Sequence, residues 1–169
     1  MVTHSIEIRT LDKGEWAVLR ELRLQALTDA PAAFASTATR ESGFAESDWH
    51  TRMESCSWFV AWEDQHQVGL VAGSAEFGDS PDDRHLLSLW VAPPWRRRGV
   101  AHSLVETVAA WAADDAATSL SLWVADNNVP AIALYERLGF QRTGLAQPFP
   151  TDSSRQEVRM IRHLGDPPD

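Results

Sequence analysis

The sequence predicts an α/β (α+β) fold: a mixed, largely antiparallel central sheet of about seven strands flanked by about four helices. Three observations lead there. Apolar runs of strand length are interleaved with segments whose apolar residues recur every three to four positions. Gly, Pro, Asn and Asp punctuate the junctions between them. The 169 residues suffice to bury one sheet and its helices and leave no room for a second domain, so the chain reads as a single domain over 1–169 with a core over about 5–163.

Ile6-Glu7-Ile8-Arg9-Thr10 alternates apolar and polar side chains as a half-buried strand does. Asp12 with Glu15 is a helix-start signal, and the helix predicted from there to about Leu27 buries Trp16, Leu19, Leu22 and Ala26 while Arg20, Glu21 and Arg23 stay in water. Thr28-Asp29-Ala30-Pro31 ends it. Residues 31–45 lack a period and read as a mobile loop, and Glu46 to Met53 reads as a short second helix carrying Trp49. Trp58 to Trp62 and Gln67 to Phe77 are strands joined by the turn Glu63-Asp64-Gln65-His66, and a second turn over Gly78 to Asp83 leads into the strand His85 to Val91. Pro93-Pro94 stops that strand, because proline has no ladder N–H to give.

A helix is predicted from near Arg98 to Asp114-Asp115, with Val100, Leu104, Val108 and Trp111 on one face. Leu120 to Val124 is the next strand. Asn127 or Asn128 then caps a helix that tolerates Pro130 in its first turn and stops at Gly139. Two strands close the sheet, one from near Phe140 and one over Glu157 to Arg162, before a frayed tail from Gly165 to Asp169.

The formal net charge of −9 makes nucleic acid a poor partner, since phosphates meet a repulsive field everywhere but at Arg96-Arg97-Arg98. A cationic or neutral acceptor fits better. The lone Cys56 can form no internal disulfide, no His/Cys/acid spacing suggests a metal, and no segment reaches the roughly 20 apolar residues a membrane span needs. The expectations are a cytoplasmic protein without membrane, nucleic acid or metal. Of eight tryptophans most should fill core, while Trp90 and Trp95 flank the segment discussed next; exposed Trp and Phe rings would support a homodimer.

That segment is Val91-Ala92-Pro93-Pro94-Trp95-Arg96-Arg97-Arg98-Gly99-Val100-Ala101. A strand that halts at prolines, turns through arginines and feeds into a helix offers unsatisfied backbone amides to an anion. Gly99 and Ala101 keep the approach clear, and the guanidinium groups add charge-assisted hydrogen bonds. Downstream, Asn128-x-x-Ala131-x-x-Leu134-Tyr135-x-x-Leu138-Gly139-Phe140 places the chain's only tyrosine on a helix.

The two segments together resemble the acetyl-CoA signature and the following helix of the GNAT acetyltransferase superfamily. The resemblance implies transfer of an acetyl group from acetyl-CoA directly to a primary amine of a small molecule or peptide. It implies that Leu89, Trp90 and Val91 present strand backbone to the pantetheine arm and that Arg96, Arg97, Arg98, Gly99, Val100 and Ala101 hold the pyrophosphate. His102 and Ser103 would add phosphate contacts, and Asn128 and Ala131 would flank the amide arm. Tyr135 would be the acid, since a phenol near pKa 10 stays protonated beside a thiolate whose conjugate acid lies at about 8.5. Some relatives carry a glutamate base where this chain has Trp123, which leaves Glu76 as a candidate substitute or water to carry the proton out. Acceptor specificity is expected from Asp29 to Phe44 and from the hairpin around Gln147 to Ser154, with Phe34, Phe44 and Phe149 as an apolar wall. An alternative is a module that binds acetyl-CoA with little turnover, or transfer to a non-amine acceptor.

Overall fold

The computed structural model describes residues 5–75 and 80–165. Strand β1 (Ile6–Thr10) is followed by helices α1 (Trp16–Asp29), α2 (Ala38–Ser42) and α3 (Glu46–Ser55), then strands β2 (Ser57–Glu63), β3 (His66–Ser74) and β4 (Asp83–Val91). Helix α4 (Val100–Asp114), strand β5 (Ser119–Ala125), helix α5 (Val129–Arg137) and strands β6 (Gln141–Phe149) and β7 (Asp152–His163) complete it, with single 3₁₀ turns at Pro31–Ala33 and Pro93–Trp95. The sheet order is β1-β2-β3-β4-β5-β7-β6, antiparallel except for the β4–β5 pair. The predicted sheet is thus observed, with five α-helices among the described residues instead of about four.

Both faces of the sheet are covered, so β2 and β3 carry nearly continuous apolar runs and their side chains alternate between two cores. Phe59, Ala61, Val68 and Val71 face Val100, Leu104, Val108 and Ala112 of α4. Trp58, Val60, Leu70 and Ala72 face Leu19, Leu22 and Ala26 of α1 and Trp49 and Met53 of α3. Trp49, Trp58 and Trp90 are buried core residues, and Trp16, Trp62, Trp95 and Trp111 are partly buried against the two cores. None of the described helices is long and apolar enough to cross a membrane.

Two expectations are corrected. Arg23 is buried rather than solvated: its Nε and Nη2 donate to both oxygens of Glu41 at 3.0 and 3.1 Å. Helical periodicity places Arg23 one step from Leu22 and Leu19, and the partner that makes burial tolerable is distant in sequence. For the same reason residues 31–45 are not a loop throughout. Thr37 caps α2 by accepting from the Arg40 N–H at 3.1 Å, and α2 delivers Glu41, fully buried, between Arg23 and Arg52.

Two irregularities open the sheet. β4 and β5 pair only over Asp83–His85 with Ser119–Ser121, whereas β5 continues alongside β7 from Ser119 to Ala125. The short pairing is held by buried Asp83, which accepts from Ser119 Oγ (2.7 Å), Ser121 Oγ (2.6 Å) and Arg159 Nη2 (3.0 Å). The β3–β4 register also slips between Leu70 and Ala72, and on β4 Ser88 adopts φ 61°. A bulge of this kind bends its strand and re-aims the residues after it.

Candidate active site

Beyond His85 and Ser121 the unpaired β4 and β5 diverge, and a groove of about 1450 Å³ opens there between β4, the start of α4 and the start of α5. Leu89, Trp90 and Val91 form one wall, Val100, Ala101 and His102 the floor, and Asn128, Ala131 and Leu134 the other wall. At its head, Arg97 has φ 60° and Gly99 φ 83°, so the backbone winds through two left-handed residues before α4 begins. The first helical N–H of α4 with a backbone acceptor is that of Ser103, bonded to Gly99 O at 3.1 Å. The amides from Arg97 to His102 donate to no acceptor among the described residues. Successive free N–H groups at a helix start form a concave anion site, reinforced by the positive end of the helix dipole.

The three arginines have separate roles. Arg96 donates through Nε to Val91 O at 2.9 Å and through Nη2 to the Asp29 carboxylate. Asp29 also accepts from Trp90 Nε1 at 2.9 Å; that bond, aided by Arg96 and opposed by burial, holds its carboxyl below the usual aspartate value. Arg98 pairs with Glu63 at 3.1 Å, and Glu63 also accepts from Trp95 Nε1. Arg97 makes no hydrogen bond or ion pair among the described residues and lines the groove. Charge for an anion therefore comes from Arg97 and the amides, while Arg96 and Arg98 tie the loop to α1 and β2.

Of the sequence-predicted groove residues, Arg98 and Ser103 lie off the groove wall. Ser103 is exposed, its carbonyl accepting from Thr107 Oγ1 at 2.8 Å. Asn128 caps α5, its Oδ1 accepting from the Ala131 N–H at 3.4 Å, and it also lines the groove. Glu76 lies outside the described residues.

Tyr135 does not line the groove itself. It faces a second, smaller chamber of about 420 Å³ on the α1 side of the same opening. The two cavities share Ala33, Phe34, Leu89, Asn128 and Ala131 as walls, so they abut at the mid-length of the groove. The ring of Tyr135 packs edge-on against Phe140 at 5.6 Å, and burial pushes its phenol well above the ordinary tyrosine value. It therefore stays protonated across the neutral range. Phe34 and Phe149 join Trp123 on the chamber wall, whereas Phe44 packs against Trp49 at 5.6 Å instead.

Arg23, His85 and Glu157 also line the chamber, and Arg155 lines the groove, donating to Ala32 O and Asn127 Oδ1, both at 3.0 Å. Sequence reasoning passed over all four. The one available signal was the alternation of β7, which puts the polar side chains of Glu157 and Arg159 on the same face of a central pair of strands.

A splayed strand pair, a helix start with free amides and an adjoining chamber together make up the site. Known proteins agree: residues 16–140 match the Acetyltransferase (GNAT) family. The chain belongs to this family and is a GNAT-type N-acetyltransferase. An N-alpha-acetyltransferase of Saccharolobus solfataricus is 27% identical over 87% of this chain and 93% of its own. Several other acetyltransferases match over about half of this chain and over no more than 51% of their own length. Among solved structures, a ribosomal-protein-alanine N-acetyltransferase of Brucella melitensis superposes with a TM-score of 0.76 at 20% identity, covering 94% of this chain and 99% of that one. A Bacillus anthracis protein assigned as a streptothricin acetyltransferase, solved in complex with acetyl coenzyme A, superposes with a TM-score of 0.58 at 18% identity over 66% of this chain and 64% of its own.

Proposed function

We propose that the protein transfers the acetyl group of acetyl-CoA to a primary amine of a small molecule or peptide, working as one domain over residues 1–169. The carrying observation is the meeting of the two cavities at Leu89, Asn128 and Ala131, with an anion site at one end and a buried phenol at the other. Acetyl-CoA supplies the activated acetyl group. The residues present fit it: the amides from Arg97 to His102 and the Arg97 guanidinium for the diphosphate, and the backbone of Leu89 to Val91, re-aimed by the Ser88 bulge, for the extended arm. The bound neighbour from Bacillus anthracis supports this reading at the level of shared fold.

In the transfer the amine nitrogen forms a bond to the acetyl carbonyl carbon, and the carbon–sulfur bond breaks. Backbone amides at Leu89 to Val91 stabilise the oxyanion, and Tyr135 returns a proton to the leaving sulfur. The excess proton on nitrogen leaves through the chamber. The lone Cys56 suits a reducing cytoplasm.

The test is thiol release from acetyl-CoA with a panel of amines, alongside calorimetric binding of acetyl-CoA. Release with at least one amine and a product acetylated on nitrogen by mass spectrometry is expected. Tight binding without release for every acceptor would establish a binding module, and acetyl on oxygen or sulfur would establish a different acceptor class.

A further inference from the structure

Three carboxylates are buried among the described residues: Glu41, Asp83 and Glu157. Two are matched by guanidinium groups. Glu41 sits between Arg23 and Arg52, at 3.0 and 2.8 Å, and Asp83 faces Arg159 at 3.0 Å. Glu157, only 6% exposed, has no cation within ion-pair distance among the described residues. Its Oε1 accepts from the neutral Gln147 Nε2 at 2.6 Å, and its Oε2 accepts no hydrogen bond there. A largely buried carboxylate with one oxygen unbonded and no matching cation is left to be completed by a cationic ligand entering the chamber.

Glu157 lines the small chamber and is absent from the walls of the cofactor groove. The reacting nitrogen has to reach the boundary shared by the two cavities, at Leu89, Asn128 and Ala131. The positive charge that Glu157 is built to receive is therefore a different one from the amine that reacts, which must be neutral when it attacks. Trp123, Phe34 and Phe149 wall the same space with rings; guanidinium groups of Arg23 and Arg155 already lie over Phe34 and Phe149 at 4.9 and 4.5 Å, which leaves the Trp123 ring to favour an alkylammonium over an anion. The other charged group on the wall, Arg23, spends three donors on Glu41 and Ser88, and it shares the Glu41 carboxylate with Arg52. A volume of about 420 Å³ lies at the small-molecule end of ligand sites.

Resting on the acetyl-transfer reading above, we propose that the acceptor is a compact amine bearing a second cationic centre, which Glu157 binds while the first nitrogen is acetylated. A monoamine would dock its only nitrogen on Glu157 and hold its carbon chain, not its nucleophile, toward the thioester.

Putrescine, butylamine and γ-aminobutyrate share one four-carbon chain and end in ammonium, methyl and carboxylate. With the full chain saturated with coenzyme A, calorimetry should show putrescine binding at least about tenfold more tightly than either of the others, a spread in keeping with one closely held charge pair. With acetyl-CoA, kcat/KM should follow the same order, and Glu157→Gln should shrink the putrescine-to-butylamine ratio by about tenfold. The isosteric change keeps the Gln147 contact available. Equal binding of the three amines, no binding by any, or a ratio that survives Glu157→Gln would overturn the proposal. Binding in the expected order with no thiol released would leave it standing and bring down acetyl transfer instead. Release with a flat order of acceptors would do the reverse.

Discussion

Arg23 on α1 donates through Nη1 to Ser88 Oγ at 2.9 Å, and the same guanidinium grips Glu41 with its other two nitrogens. Ser88 is the left-handed residue of the β4 bulge, so one side chain of α1 pins the point at which the strand turns toward the large groove. Replacing Arg23 by Met leaves Glu41 buried with a single partner, and the expected loss is about 3–5 kcal/mol in urea unfolding. Arg23→Lys should recover only part of it, because a lysine ammonium cannot reproduce the planar three-point contact. A loss within error of zero for Arg23→Met would show that the pair is not structural.

The same pair sets an acid limit. Burial pulls the Glu41 carboxyl upward, but Arg23 and Arg52 outweigh it, and the net displacement is below the ordinary value. A carboxyl with a depressed native pKa stabilises the fold above its unfolded value of about 4.3 and loses that contribution as pH falls through the native one. Urea midpoints should therefore hold steady from neutral pH to about 5 and drop steeply below about 4. In Glu41→Gln the drop should be shallower; an unchanged slope would assign the acid sensitivity to other carboxylates.

At Gly99 an added Cβ would meet nothing within 4 Å, so any cost of substitution comes from the backbone at φ 83° and not from a clash. Asparagine tolerates that region and valine does not, at a penalty of about 1–2 kcal/mol for ordinary residues. Acetyl-CoA affinity measured by calorimetry should rank glycine, then asparagine, then valine, with valine about tenfold weaker than glycine because the amides from Arg97 to His102 are displaced. Equal affinities would place the diphosphate elsewhere.

Gly73 is a packing glycine: a Cβ there would lie 2.5 Å from the ring of Trp111 on α4. Gly73→Ala should cost about 1–3 kcal/mol by overpacking. Adding Trp111→Leu should relieve part of that cost in a double-mutant cycle on thermal unfolding, and strict additivity would mean that the two positions do not touch.

The sheet, the long helices and the groove were legible in sequence because each rests on local signals: apolar period, prolines that stop β4, and Asn128 and Gly139 bounding α5. The head of the groove was read from residue types, and its geometry differs in one respect. Arg96 and Arg98 are held by Asp29 and Glu63, acids 67 and 35 residues away, which no local pattern announces. The chamber was legible in part. Phe34, Phe149, Trp123 and Tyr135 had been singled out, but Arg23, His85 and Glu157 are ordinary charged or polar residues until the sheet topology makes them neighbours. Helical period assigned Arg23 to water for the same reason, since its partner is delivered by α2, a five-residue helix with too few positions to show a period.

Tyr135 offers the sharpest test of the site. Its side chain lines the chamber that shares walls with the groove, and burial raises its phenol above the ordinary value of about 10. A group displaced in that direction stays protonated as pH rises, so its donor form persists through the whole working range. Tyr135→Phe keeps the ring against Phe140 and removes only the oxygen. A lost general acid accounts for about 10²-fold in kcat, whereas acetyl-CoA affinity should stay within about threefold because the anion site is untouched. Wild-type kcat should show no alkaline decline up to about pH 10, since the donor does not ionise there. A decline centred near pH 10 that vanishes in Tyr135→Phe would mean that the phenol is exposed to solvent during turnover, and an unaltered kcat in the variant would remove Tyr135 from the proton path altogether.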